Sequence, residues 1–213
     1  MTERQSSLAY LHFSVILMGG PTLFAKLVDL PALSMVFGRG LFAMIGLYLF
    51  VAWRKQQIRP KSGRDLAFLI FAGVMMAIHW VLLFYAVQIS TVAVGIISVN
   101  THIIITILVE PFIFGERLSR VDILLGVVMF VGIIVLVPAF ELSNQTTLGV
   151  ICGVLSALFL TGRNLVSRKF VQTYSSSVVM LFQLIVVAAV LFIPAFTIFE
   201  TDLGELFSWR MQG

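Results

Sequence analysis

Charged and imidazole side chains interrupt stretches of this chain that are otherwise long and apolar enough to cross a bilayer. Arg39 lies in PALSMVFGRGLFAMIGLYLFVAW, His79 in LAFLIFAGVMMAIHWVLLFYAVQ, and His102 and Glu110 in TVAVGIISVNTHIIITILVEPFIF. An ionisable group in hydrocarbon costs about 2.5–3.5 kcal/mol on insertion scales, so it faces a protein interior or a water-filled path. Several such groups in one multi-spanning chain point to movement of something across the membrane. Of 213 residues, 60% are hydrophobic and 11% charged, and the mean hydropathy is +1.06. Soluble domains carry about 25% charged residues. The bilayer is therefore the solvent and the first partner of this chain, and the expected fold class is all-α, a polytopic helical membrane protein.

Seven stretches reach membrane-helix length, at 8–27, 31–53, 66–88, 91–114, 121–139, 147–166 and 177–199. Read as one helix, residues 66–114 would extend about 70 Å, more than twice the hydrocarbon thickness, so a tight hairpin is required at Ile89–Ser90–Thr91. Basic residues fix the orientation. Arg4, the run Arg54, Lys55, Arg59, Lys61 and Arg64, the pair Arg117 and Arg120, and the group Arg163, Arg168 and Lys169 all fall on one side if seven spans alternate. They are eleven of the fourteen Lys and Arg residues. The other side holds Lys26, Arg210 and the acidic group Glu141, Glu200, Asp202 and Glu205. The positive-inside rule places the N-terminus in the cytoplasm and the chain in a cell (inner or plasma) membrane. The net charge of +4 is thus a topology signal, and no nucleic-acid partner is implied. The first span starts after a single arginine and lacks an A-x-A cleavage pattern, so it is expected to stay as a helix. A lone cysteine, Cys152, in an apolar stretch excludes an internal disulfide.

An internal repeat is legible. LAYLHFSVILMGGPTLFAKLV aligns with LGVICGVLSALFLTGRNLVSRKFV, setting Leu8 against Leu148 and Gly20-Pro21 against Thr161-Gly162. VFGRGLFAMIGLYLF aligns with MLFQLIVVAAVLFIP, setting Arg39 against Gln183. Five spans per unit is odd, so a second unit starts from the opposite side, which is the geometry of an inverted repeat. The expected layout is one five-helix unit at 1–140 and two helices of a second at 141–213, with an acidic extracytoplasmic tail. On this reading the chain stops early; a complete seven-helix protein is the other reading.

Arg39, the stretch from Phe71 to Val137 that contains FIFGERLS followed by a Gly-rich helix, and GVICGVLSALFLTGRNLVSRKF together resemble the EamA branch of the drug/metabolite transporter superfamily. The resemblance covers essentially the whole chain. It implies ten helices in two inverted five-helix repeats and carriage of small metabolites. The chain departs from it by stopping after seven spans and by having Thr101-His102 where many relatives have proline.

Candidate residues follow from placement. On the fourth span Thr91, Gly95, Ser98, His102, Thr106 and Glu110 share one helical face. That stripe reads either as a proton- or substrate-responsive cavity wall or as interhelical hydrogen bonding. His79, His102 and Glu110 are the candidates for proton coupling. Arg39, between Gly38 and Gly40, needs a counter-charge, carbonyl groups or an anionic substrate. His79 and Trp80 sit at mid-span, where Trp is unusual, and line a cavity or pack a neighbour. Gln183 joins this set through its pairing with Arg39. Gly19, Gly20 and Pro21 form a candidate helix break, and Gly115, Glu116 and Arg117 form the turn that resembles the family's glutamate motif.

No HExxH, Walker A, GxSxG or clustered His/Cys pattern occurs, so no cofactor, metal or enzyme activity is expected. The expected function is secondary transport, in the export direction, by alternating access through a central polar cavity. The alternative is a transport-inactive or partner-dependent subunit completed by a homo-oligomer or a second membrane chain.

Overall fold

A computed structural model describes residues 30–115, 119–136 and 143–211, together with Leu8, His12, Phe13, Gly20, Leu23, Lys26 and Leu27 near the N-terminus; side chains are described up to residue 197. Among these residues the structure is helical throughout, with seven continuous helices: α1 (Ala32–Trp53), α2 (Gly63–Ile89), α3 (Val92–Val99), α4 (Thr101–Phe114), α5 (Arg120–Leu136), α6 (Gln145–Phe170) and α7 (Ser176–Met211). Five stretches are long and apolar enough to cross a membrane, α3 and α4 counting as one. The first expected span falls mostly outside the described residues. α5 is described over 17 residues, and the remainder of its expected span also lies outside them.

Local chemistry sets the helix ends. The Ser62 hydroxyl accepts from the Asp65 amide at 3.1 Å and starts α2. Thr91 does the same for α3 through the Val94 amide, and Asn144 for α6 through the Thr146 amide. Ser119 and Asp122 exchange side-chain and amide bonds in a capping box at the start of α5. Gly115, at φ 70°, ends α4 in the left-handed conformation that glycine adopts without penalty. The hairpin demanded by length turns at Ser90, and the Lys26 ammonium donates to the Gln88 and Ser90 carbonyls there, where the α2 dipole is negative.

Two expected boundaries are corrected. α6 runs to Phe170 rather than 166, and Arg163, grouped above with the basic residues of the following connection, lies inside the helix together with Arg168 and Lys169. α7 runs through the acidic tail to Met211. The fourth span is interrupted at Asn100, whose amide still bonds back to Ile96.

The core is built around α2, which packs on α6, α7, α3 and α1, while α1 packs on α7. Val36, Met76, Trp80, Phe84, Leu184 and Val187 form its main buried cluster. Small residues set how closely helices approach. A Cβ on Gly153 would overlap the Ser98 side chain, and one on Gly149 would overlap Ser90. With Ala157 and Thr161 these glycines repeat every four residues along α6, a small-residue stripe of the kind that lets membrane helices touch backbone to backbone. By contrast α5 has no buried residue among those described.

Gly153→Val should therefore destabilise the protein by about 1–3 kcal/mol through overpacking. Gly46→Ala, at a helical site with open space around it, should be neutral or stabilising by up to about 1 kcal/mol. Thermal unfolding of the detergent-solubilised chain measures both.

Candidate functional site

Arg39 is the eighth residue of α1, about 10 Å along the helix axis from Ala32. Its guanidinium carbon rests over the Trp80 ring at 4.4 Å from the centroid, with Phe84 at 5.8 Å. No acceptor and no carboxylate among the described residues bonds to it. The two rings belong to α2 and are 9% and 3% exposed. A cation–π contact contributes about 0.5–2 kcal/mol, less than the burial of an arginine costs. The aromatic floor alone does not balance this charge.

His79, beside Trp80, faces α6. Its Nδ1 lies 2.7 Å from the Ser156 hydroxyl and 3.1 Å from the Ser156 carbonyl, and the same hydroxyl donates to the His79 carbonyl at 2.9 Å. With the serine proton committed to that carbonyl, and the second neighbour able only to accept, Nδ1 carries the imidazole proton. This reciprocal clasp ties α2 to α6 at mid-length.

The polar stripe of the fourth span faces α6. Ser98 is fully enclosed against Gly153, and no described residue bonds its hydroxyl. His102 is half-buried and its Nδ1 meets the Val99 carbonyl of its own helix at 3.0 Å, while its carbonyl accepts from Thr161. Thr106 donates to Thr161 at 3.3 Å. Glu110 pairs with Arg168 at 2.8 Å, and Arg168 also lies over Phe114 at 4.5 Å.

Gln183, which the repeat sets against Arg39, is fully buried on α7. Its amide donates to the Ser167 hydroxyl at 2.8 Å, which turns its carbonyl oxygen toward Arg163, whose Nε donates to it at 2.8 Å. Arg163 also donates to Asn164 and Met180. It is the functional candidate that sequence reasoning missed. The available signal was an arginine seven positions before the end of a helix that continues through Phe170, but the basic cluster around it reads as a loop.

The structure thus sets Arg39 of α1 on Trp80 of α2, clasps His79 of α2 to Ser156 of α6, and binds Arg163 of α6 to Gln183 of α7. Glu110 lies apart, at the end of the bundle. Gly20 is helical; Gly19, Pro21, Glu116 and Arg117 lie outside the described residues. A separate cleft of about 190 Å³ opens between Arg64, Phe68, Lys169 and Tyr174, and none of the nominated residues lines it. No group of three or more metal-ligating side chains occurs among the described residues.

Ser156→Ala should cost about 1–3 kcal/mol, because it removes both hydrogen bonds of that buried hydroxyl to His79. Glu110→Gln, at a partly exposed ion pair, should change stability by less than about 1 kcal/mol. Chemical denaturation in detergent tests that order.

The model of the EamA-like transporter family matches residues 5–137. The chain is 28% identical over 165 residues to the pseudopaline exporter CntI of Pseudomonas aeruginosa, covering 78% of this chain and 56% of the exporter. It is 24% identical over 174 residues to the uncharacterized transporter YxxF of Bacillus subtilis, covering 79% and 56%. The chain spans about half the length of the curated relatives it matches. No solved structure matches it.

Proposed function

The chain belongs to the EamA-like transporter family, and from that premise we propose that it carries small metabolites or drugs across a cell membrane as a secondary transporter, in the export direction. Alternating access around the polar centre formed by Arg39, Trp80, Arg163 and Gln183 is the mechanism. One observation carries this reading: a guanidinium set on an aromatic floor deep in an apolar helix, with no described acceptor, is an arrangement that packing does not require. The exporter among its relatives supports the direction.

Orientation follows from the basic residues. With Arg163 inside α6, the other ten cations of the basic side still share one face, and we keep the N-terminus in the cytoplasm of an inner or plasma membrane. Coupling to protons runs through His102 rather than His79 or Glu110. Among the described residues, His102 is half-buried and its Nδ1 bonds within its own helix, whereas His79 is clasped to Ser156 and Glu110 is paired.

A second reading is favoured by α5, which has no buried residue among those described. In it the transport unit is completed by another copy or another membrane chain. Mass measurement of the purified protein in nanodiscs separates a monomer from an oligomer.

In proteoliposomes holding the intact chain, a metabolite panel should show solute-selective flux that responds to an imposed pH gradient. Arg39→Ala should lower it at least about tenfold, a loss of roughly 1.4 kcal/mol, without loss of helicity. Equal flux from the variant would remove Arg39 from the path, and indifference to the gradient in wild type would remove proton coupling.

A further inference from the structure

The cleft of about 190 Å³ between the start of α2 and the end of α6 joins a charged rim to an aromatic wall. Arg64 and Phe68 stand one turn apart on one face of α2, about 6 Å along its axis, with the guanidinium carbon 5.8 Å from the ring centroid. Lys169 and Phe170 line the cleft from the last turn of α6, and Tyr174 from the turn that follows. The rings of Phe68, Phe170 and Tyr174 form a row, with successive centroids 6.0 and 6.2 Å apart.

The acceptors in this cleft already have donors. Asp65, the one carboxylate among its lining residues, takes the Tyr174 hydroxyl proton, and the Lys61 amide donates to the same hydroxyl at 2.7 Å. The Phe170 carbonyl accepts the Thr173 and Tyr174 amides at 3.0 and 2.9 Å. Two lining cations stand against that single carboxylate, and the Lys61 ammonium, 5.7 Å from the Tyr174 ring centroid, adds a third beside them. What the cleft offers a ligand is positive charge and N–H donors.

Depth decides which anion fits. Arg64 precedes the apolar run of α2, which begins at Leu66, and Lys169 lies one residue before the end of α6, so both stand where helices leave the hydrocarbon. Leu66, Phe68 and Phe71 are exposed on the adjoining surface of α2. A free anion gains nothing from apolar surroundings, whereas one tethered to acyl chains does. Basic clefts between membrane helices suit acidic headgroups for this reason.

We propose that the cleft binds the phosphodiester headgroup of an anionic phospholipid, with Arg64 and Lys169 on the phosphate oxygens and the apolar part of the lipid against Phe68. The guanidinium matches two phosphate oxygens at once, and the ammonium adds a point charge from the facing helix. The headgroup thereby bridges α2 and α6 at the basic end of the bundle. This binding is independent of what the chain carries.

Native mass spectrometry of the intact, detergent-solubilised chain counts bound lipids directly. Titration with phosphatidylglycerol should give one saturable adduct, and zwitterionic phosphatidylcholine should bind weaker by about tenfold or more. Arg64→Gln combined with Lys169→Gln should weaken the phosphatidylglycerol adduct by about tenfold or more. Lys55→Gln combined with Arg59→Gln removes the same charge from the neighbouring connection, outside the cleft, and should change it by less than about twofold. Circular dichroism and size-exclusion chromatography confirm that each variant is folded, and the single substitutions Arg64→Gln and Lys169→Gln serve should the double variant fail to fold. Equal loss in the two double variants would reduce the attraction to diffuse surface charge and overturn the site. Equal binding of the two lipids, or no adduct, would overturn it as well. Displacement of the lipid by inorganic phosphate or by the deacylated headgroup, glycerophosphoglycerol, at matching concentration would keep an anion site and overturn its assignment to a lipid.

Discussion

Gly149, Gly153, Ala157 and Thr161 bring one edge of α6 against α2, α3 and α4, and the rest of the structure depends on that approach. Without side chains beyond a hydroxymethyl group at the contact, Ser98 and Ser90 sit where a Cβ would be on the facing glycines. In a bilayer no hydrophobic driving force pulls helices together, so such contact and the hydrogen bonds it allows must supply the association. The Ser156–His79 clasp and the Thr161 bonds to Thr106 and the His102 carbonyl lie on or beside this edge. They can form because the backbones are close. A wider residue at the stripe would lengthen all of them together.

That packing carries the charged centre. α6 brings Arg163 inward, and α7, seated on α1 and α2, supplies Gln183 to hold it. α1 brings Arg39 onto the ring of Trp80, and Trp80 is fixed because its neighbour His79 is locked to α6. The polar centre is therefore shared between helices of the first expected unit and the two helices after it. Two positive groups are kept among apolar walls with no free carboxylate in the apolar stretches.

Much of this was legible in the sequence, for physical reasons that differ by residue. Arg39 stood out because it breaks an apolar run far from either end, and the Ser90 hairpin because one helix across it would be too long for any bilayer. The polar face of the fourth span was visible as helical periodicity. Its partner was not, since periodicity shows which residues share a face and not what faces them. Only the structure shows that Ser98, His102 and Thr106 meet α6. Arg163 was misread because, although it falls within the expected span 147–166, it was grouped with Arg168 and Lys169 as part of the basic connection, whereas the backbone continues helical for two more turns to Phe170. The repeat had already set Gln183 against Arg39; that Gln183 serves a different arginine could come only from three-dimensional contacts.

The central claim is that Arg39 faces a water-accessible interior and not lipid. Its direct test is thiol accessibility in reconstituted vesicles, with Cys152→Ser removing the lone native cysteine. The Arg39→Cys thiol and the Phe42→Cys thiol, the latter at a position of the same helix that is 77% exposed on the apolar surface, are compared for reaction with a membrane-impermeant, water-soluble methanethiosulfonate. The account predicts rapid modification at position 39 and little at position 42. Modification at position 39 no faster than at position 42 would contradict it, and with it the polar interior on which the transport mechanism stands.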